Sequence, residues 1–453
     1  MGQILSQPHS EHGQDNRLIF GVSSMQGWRI TMEDSHAAVL DLKSLDAPET
    51  ETPTDQRISF FGVYDGHGGD QTSLYAGEHL HLVVAEQKAF AQGDFDSALK
   101  DGFLATDRCL VMSPHFRNDM SGCTATTALF TNKKIFVANA GDSRTVLGVK
   151  GTAKAMSFDH KPDNEGERAR IISAGGFVDS DRVNGNLALS RAIGDFDFKK
   201  VVNRPPEEQI VTAFPDVMEH DISPDDEFLV LACDGIWDCM NSQSVVEFVR
   251  RGIAEKQELS YICENIMNHC LAPASDMSGI GCDNMTMMIV GILNGKTKEE
   301  WYNTISERVA KGDGPVAPVA SVEPIADEEH GTSSAVTGGA TGAAPAPGES
   351  DLYDDLFQRT VGGGITLQQF LGDGATFTTT ADGSILIKSS SSVLSALQRY
   401  RNDEDEDENE DEEHGDKRIS EIDEEDESKN AKKDDEEPKT QEKDAKIESK
   451  SSS

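Results

Sequence analysis

Apolar positions fall into two kinds of run that alternate from about residue 17 to residue 295. The first kind is short, continuous and rich in β-branched and aromatic residues: "RISFFGVYD" (57–65), "DEFLVLACD" (226–234) and "NMTMMIVGIL" (284–293). Runs of that length without polar alternation predict strands buried on both faces. A longer stretch, "TATTALFTNKKIFVANAGDSRTVLGV" (124–149), breaks into several such pieces, with Thr131-Asn132-Lys133-Lys134 as a hairpin turn. The second kind recurs every three to four residues and predicts helices over 69–91, 95–112, 164–174, 242–254 and 259–270. Strands follow one another through hairpins more often than through single crossover helices. The pattern therefore predicts an α+β fold of antiparallel sheets with helices packed outside, not a doubly wound sheet.

Outside 17–295 the periodicity fades. Residues 1–16 read as an N-terminal arm and 296–311 as a helical extension of the domain. From 312 to 350 Pro, Ala, Gly, Ser and Thr dominate, a composition that cannot offset chain entropy by burial and predicts a disordered linker. Residues 351–401 carry sparse apolar clusters ("DLYDDLF", "SILIK", "SVLSALQRY"), expected to form short helices or a docking motif. The last stretch, 402–453, holds 24 acidic and nine basic residues and reads as a solvated, disordered tail.

Charge narrows the partners. With 41 Lys and Arg against 81 Asp and Glu the net charge is −40, so the chain has no bulk attraction for nucleic acid or anionic lipid, and no local basic patch supplies one. Cations and basic protein segments suit it better. The seven cysteines include no C-x-x-C pair, which argues for reduced, packed thiols and against a thiolate zinc site. No apolar run is long enough for a membrane helix and the N-terminus lacks the core of a signal peptide, so the expectation is a soluble monomer of the cytoplasm, and of the nucleus too.

One feature of the strands points to chemistry. The run 57–65 ends on Asp65, followed by Gly66, His67, Gly68 and Gly69; 226–234 ends on Asp234, with Asp238 four residues on; another strand ends on Asp142, and Asp283 with Asn284 opens the run at 284. A single strand-terminal aspartate is ordinary turn chemistry. Four of them, brought together by facing sheets, would crowd carboxylates that cannot all stay ionised unless a cation lies among them. Arg144 is the only cationic side chain adjoining any of them in sequence. Oxygen donors without a Cys or His cluster select magnesium or manganese. In "MQGWRITMEDSH", Arg29 and Glu33 would share one face of an extended strand, with Trp28, Ile30 and Met32 on the buried face. Arg29 could then fork around a phosphate and Glu33 hold a metal-bound water.

The segments "MQGWRITMED", "FFGVYDGHGG", "SGCTAT", "NAGDSR", "DHKPDNEGERARI", "RVNGNLALSRAIGDFDFK", "EEQIVTAFPDV", "LACDGIWD" and "GIGCDNMT" occur in this order between residues 17 and 293. In order and spacing the chain resembles the metal-dependent protein serine/threonine phosphatases of the PP2C (PPM) family, its fungal members most. The resemblance implies a central pair of antiparallel sheets sandwiched between helices, a four-layer αββα fold, with two Mg²⁺ or Mn²⁺ ions at one end and a weaker third. By the same resemblance Asp65 bridges both metals, the Gly66 carbonyl binds one of them, and Asp234 and Asp283 bind the second. Glu33 holds metal-bound water with Asp34 alongside, Arg29 binds the substrate phosphate, and His67 is the general acid. Asp142 and Asp238, with Asp234, match the third-metal site, Thr124 lies near it, and Arg182 lies in a flap that handles substrate.

The implied activity is hydrolysis of phosphoserine and phosphothreonine in proteins, kinases and other signalling proteins among them, by direct attack of metal-activated water. That would make the chain a negative regulator of kinase signalling. A cysteine-phosphatase mechanism is disfavoured because no Cys has an Arg six residues on, as a C-x5-R loop requires. The competing reading, an acidic-tailed binding or scaffold protein without catalysis, rests on the tail alone. "MGQILS" fits the N-myristoylation pattern at Gly2, and one such chain gives at most transient membrane association. Ser420, before a dense acidic run, is a candidate phosphorylation site for an acidophilic kinase.

Overall fold

The computed structural model describes residues 7–44, 52–53, 56–274 and 279–318, with four short strands between 360 and 388. The first half of the domain contains β1 (His9–Gln14), β2 (Leu18–Met25), β3 (Ser35–Val39), β4 (Ser59–Tyr64), β5 (Gly66–His67), α1 (Gln71–Ala85), α2 (Lys88–Ala91) and α3 (Phe95–Met112). There follow β6 (Gly122–Cys123), β7 (Ala125–Phe130), β8 (Lys134–Ala140), β9 (Arg144–Val149), β10 (Thr152–Ala155), α4 (Glu165–Ser173), β11 (Val178–Asp179), β12 (Arg182–Val183) and β13 (Ile193–Gly194). The domain closes with β14 (Asp216–Asp221), β15 (Asp226–Ala232), α5 (Asp234–Trp237), α6 (Ser242–Ala254), α7 (Leu259–Cys270), β16 (Met285–Ile292) and α8 (Lys298–Ala310).

Two antiparallel sheets form the centre, in strand orders β1-β2-β16-β15-β9-β10 and β14-β8-β7-β4-β3. Successive residues of one strand enter different layers. Phe61 and Val63 of β4 meet Val22, Leu229, Leu231 and Met288 between the sheets, while Phe60 and Tyr64 pack outward under Leu80 of α1 and Phe103 of α3. On the other side Phe228 and Val230 of β15 pack under Val249 of α6, Ile262 of α7 and Trp301 of α8. The result is four layers, helix–sheet–sheet–helix. Both faces of each central strand are buried, which is why these strands read as unbroken apolar runs.

The helices begin where side chains can cap them. Asp94 accepts from the Ser97 amide at the start of α3, Asn241 from the Ser244 amide at α6, and Thr297 with Glu300 closes a capping box on α8. The hairpin turn at 131–134 is present, with the Thr131 amide donating to the Lys134 carbonyl at 2.9 Å. The edge strands β1, β10 and β14 carried no apolar signal because they pair on one side only and stay largely exposed. Residues 9–14, read from sequence as part of an arm, are therefore strand, paired with β2. Farther along, Thr360–Val361 pairs with Ile365–Thr366, and Thr376–Thr379 with Ile385–Lys388, so most of the cluster "SILIK" is strand and not helix, while "DLYDDLF" and "SVLSALQRY" lie outside the described residues.

After α8 the chain stays packed. Arg250, fully buried, holds Glu227 with two hydrogen bonds of 2.9 and 3.2 Å and donates to the carbonyls of Asp313 (2.6 Å) and Pro315 (3.0 Å). Arg251 reaches the Ala317 carbonyl at 2.7 Å, and the Ala317 amide returns to Glu247 at 3.1 Å. The domain thus extends a few residues past 312, where composition places the linker. A chain ending at Gly312 strips carbonyl acceptors from a buried guanidinium, at a cost of about 1–3 kcal/mol each. Calorimetry should show it unfolding several degrees below a chain ending at Pro318; equal midpoints would refute the clamp.

Candidate metal centre

Antiparallel pairing puts the C-terminal ends of β4, β8 and β15 and the N-terminal end of β16 at one end of the two sheets. These ends carry Asp65, Asp142, Asp234 and Asp283. Asp34 joins them just before β3, and a carboxylate oxygen of Asp34, one of Asp65 and the Cys233 sulfur lie within 4.8 Å of one another. Neither oxygen of buried Asp34 accepts a hydrogen bond of normal geometry. The Thr286 hydroxyl and Cys233 thiol beside it offset its burial only in part, and burial with the Asp283 charge pushes its carboxyl up to about 6.

The same repulsion acts across the cluster. Burial first, then Asp34, Asp234, Asp142 and Asp283, hold Asp65 well above the usual carboxylate range. Burial and the charges of Asp142, Asp283 and Asp238 push Asp234 up to about 7. Burial and the charges of Asp34, Asp65 and Asp234 keep the Cys233 thiol protonated at neutral pH, so it contributes no thiolate. Two flexible cations enter from the rim. Arg29 Nη2 lies 2.6 Å from Asp283 Oδ2, and Lys161 pairs with Asp142. Burial lowers the Lys161 pKa, but Asp142, with Asp234 and Asp238, more than restores it, and the net shift is upward. Arg144, the cation nearest in sequence, turns away to a two-bond pair with Asp159 (2.8 and 2.7 Å) and lies 5.3 Å from the Trp237 ring centre.

The segment from Gln26 to Asp34 is a loop, not the strand that the alternation predicted. Ile30, assigned to the buried face, is 97% exposed. Asn284 determines the loop's path: its Oδ1 accepts from the Glu33 amide and its Nδ2 donates to the carbonyls of Gln26 and Thr31, each at 2.9 Å. Glu33 is held by the Thr31 hydroxyl (2.7 Å) and the Gly69 amide (3.2 Å). At Gly66 a β-carbon would come within 2.1 Å of the Glu33 carbonyl oxygen, so this close approach requires glycine.

Thr124 fixes Asp65 from the other side. Its hydroxyl accepts from the Asp65 amide (3.2 Å), its amide donates to the Asp65 carbonyl (2.9 Å), and Ser143 hydrogen-bonds the same hydroxyl (2.6 Å). Asp238 stands at the exposed edge beyond α5. Arg182 lies on the exposed β11–β12 hairpin and donates within it, to the Asn186 carbonyl at 2.6 Å. Gly2 and Ser420 lie outside the described residues.

His67 reveals a partner that the motifs did not single out. Its Nε2 faces Asp195 Oδ2 at 2.7 Å. Asp195 is buried and adopts a left-handed conformation (φ +51°) directly after the two-residue strand β13, whose register with β6 brings it over His67. A β-carbon on Gly122 would fall 2.3 Å from Asp195 Oδ2 and 2.6 Å from His67 Nε2, so this pair exists only beside glycine. Burial works against the imidazolium, the Asp195 carboxylate outweighs it, and the His67 pKa is raised. Asp195 repeats the aspartate-after-strand signal on a strand too short to show an apolar run. Lys161 lies 19 residues from Asp142 and has no local signal.

A four-layer αββα domain thus gathers buried and half-buried carboxylates at one end of its paired sheets, with an exposed arginine beside them. Family comparison makes the class specific: residues 19–279 match the model for protein phosphatase 2C, and the chain belongs to that family, whose members are metal-dependent protein phosphatases. It is 67% identical over 311 residues to protein phosphatase 2C homolog 2 of Aspergillus fumigatus, covering 68% of this chain and 72% of that one. It is 58% identical to protein phosphatase 2C homolog 2 of Schizosaccharomyces pombe, covering 71% and 87%. A phosphatase structure from Toxoplasma gondii shares the fold (TM-score 0.52, 24% identity, 63% of this chain and 96% of that one).

Donors that are buried, oxygen-rich and short of hydrogen bonds fit a divalent cation. A carboxyl with a raised pKa keeps its proton longer in the folded chain than in the unfolded one, so its contribution to stability fades as pH rises through the shifted value. In chelator, the thermal midpoint is expected to fall from about pH 4 to about pH 7, the range over which Asp34 (about 6) and Asp234 (about 7) still hold protons that the unfolded chain has released. Added manganese should remove most of that slope. A midpoint insensitive to manganese at the upper end would contradict the cation assignment. Asp34→Asn, which cannot ionise, should have a smaller slope in chelator.

Proposed function

We propose that this protein is a Mg²⁺- or Mn²⁺-dependent phosphatase that hydrolyses phosphoserine and phosphothreonine in proteins, kinases and their signalling partners among them. The observation that carries this reading is the convergence of Asp34, Asp65, Asp234 and Asp283 on one end of the paired sheets beside Arg29, where burial and mutual charge raise the carboxyls of the first three, a set of acids that is unfavourable without cations and well placed next to an incoming phosphate. Asp34, Asp65, Asp234, Asp283 and the Gly66 carbonyl are the donors that would hold two ions, with Glu33 orienting water; Asp142 and Asp238 would serve a weaker third. Bound there, the ions supply the charge that makes a water nucleophilic at neutral pH and offsets charge on the phosphoryl oxygens.

The chain's own groups do the rest. Arg29 is more than half exposed, so it can swing from Asp283 to the phosphate and clamp it with two parallel hydrogen bonds. Displacement expels a serine or threonine oxygen, a poor leaving group that needs a proton. With Nε2 of His67 committed to Asp195, Nδ1 is the nitrogen left to deliver it, and the raised pKa keeps the ring protonated nearer neutral pH. Asp195 positions the ring; it does not itself meet the substrate. An acidic scaffold without catalysis would have no use for this pair.

Asp65→Asn should abolish manganese-dependent phosphate release from a phosphothreonine peptide while leaving a cooperatively folded chain; near-normal turnover would remove the reading. His67→Gln tests the proton. It should slow phosphopeptide hydrolysis by roughly 10²–10⁴-fold and p-nitrophenyl phosphate hydrolysis far less, because p-nitrophenolate leaves without help. Asp195→Asn should show the same selectivity in weaker form, whereas equal losses on both substrates would assign His67 and Asp195 a purely structural role.

A further inference from the structure

Seven thiols are distributed through the domain, and two of them meet beside the acids. Cys239 follows Asp238 at the end of the one-turn helix α5, and Cys270 is the last residue of α7. The Cys239 sulfur lies 3.4 Å from the Gly235 carbonyl and 3.7 Å from the Cys270 carbonyl. The two thiols also lie close enough that each perturbs the other's ionisation. Cys233 and Cys263 likewise direct their sulfurs to main-chain carbonyls, each at 3.6 Å. The two members of the pair also differ in access, since Cys239 is half-buried and Cys270 buried.

We propose that Cys239 and Cys270 are a site of reversible oxidation by peroxides, and that the disulfide they form slows the phosphatase. The accessible thiol reacts first. The Cys239 sulfur attacks one peroxide oxygen, the O–O bond breaks, a sulfenic acid forms and water leaves with the thiol proton. The Cys270 sulfur then displaces the hydroxyl as a second water and the S–S bond closes. Two thiols lose two electrons and one peroxide becomes two waters. A thiol reductant reverses the reaction.

The consequence follows from packing. An S–S bond of about 2.05 Å is much shorter than a hydrogen-bonded sulfur contact, so closing it draws the end of α5 toward α7. That turn carries Asp234 and Asp238, whereas Asp34 and Asp65 are attached to the other sheet and do not follow. Gly235 has no slack, since even a β-carbon there would meet the Asn284 carbonyl at 2.2 Å. Movement of α5 therefore presses on Asn284, the residue that holds the Glu33 loop. Distortion of groups around a metal site typically costs 10–100-fold in affinity, and about tenfold in rate at limiting manganese is the effect expected here.

The test treats the full chain with hydrogen peroxide, blocks remaining thiols, and looks for the Cys239–Cys270 cross-linked peptide by non-reducing digestion and mass spectrometry. Phosphothreonine-peptide hydrolysis is followed in parallel. The peptide should appear as the rate falls, and dithiothreitol should reverse both. Cys239→Ser and Cys270→Ser should give no cross-link, and Cys239→Ser should keep most of its rate under the same exposure. No cross-linked peptide, a cross-link with unchanged rate, or full peroxide sensitivity in Cys239→Ser would each overturn the proposal. The proposal rests on the phosphatase reading for its rate effect only: a chain inactive before oxidation would refute that reading, while the mass readout would still decide the disulfide.

Discussion

Mutual repulsion among buried carboxylates is the constraint around which this domain is arranged. Asp34, Asp65, Asp142, Asp234 and Asp283 come from five separate segments, and burial together with their neighbours' charges raises the carboxyl groups of Asp34, Asp65 and Asp234. Separately, each would be an unremarkable turn residue. Together, with Asp34 and Asp142 buried and Asp65, Asp234 and Asp283 half-buried, they are screened only in part, so the surrounding packing must oppose a tendency to spread apart. The apolar layer between the sheets does this. Phe61, Val63, Leu229, Leu231 and Met288 lock β4 against β15 and β16, and a one-residue slip of any of these strands would exchange its two faces.

Around that layer, small residues and tethered cations do the fine placement. Gly66 lets the backbone after Asp65 touch the Glu33 loop, and Gly122 lets Asp195 reach His67. Asn284 and Thr124 tie the main chain of Glu33 and Asp65 to strands that are themselves immobilised by the core. Arg29 and Lys161 approach from the rim on long side chains, and each already has a carboxylate partner. Rigid parts therefore carry the acids and flexible parts carry the positive charge, as expected where ions and a phosphate must exchange.

Most of the architecture was legible because burial on both faces writes long apolar runs: β4, β15 and β16, together with α3, α6 and α7, lie where the pattern put them. Asp65, Asp142, Asp234 and Asp283 were legible for the same reason, since each ends or opens such a run, whereas Asp34 was pointed to only by the family resemblance. What the pattern missed depends on contacts distant in sequence. Asp195 follows a strand of two residues, Lys161 reaches Asp142 across a loop, and Asn284 acts on a segment more than 250 positions away. The loop at 26–34 was misread because Trp28, Ile30 and Met32 alternate like a strand; three hydrogen bonds from Asn284 override that local preference. Edge strands left little trace because they pair on one side only and stay largely exposed.

The lysine beside Asp142 has a consequence for the chain when no ion is bound. Many small metal domains have no stable fold until their ion arrives, so synthesis and metal supply are bound together. Here Lys161 is part of the polypeptide and reaches Asp142 as soon as its loop docks, with His160 stitched to Gly141 through two hydrogen bonds (2.9 and 3.2 Å). Arg29 does the same at Asp283. The folded chain therefore carries counter-charges of its own at Asp142 and Asp283, so the acids at these two positions are not left wholly unpaired when no ion is bound.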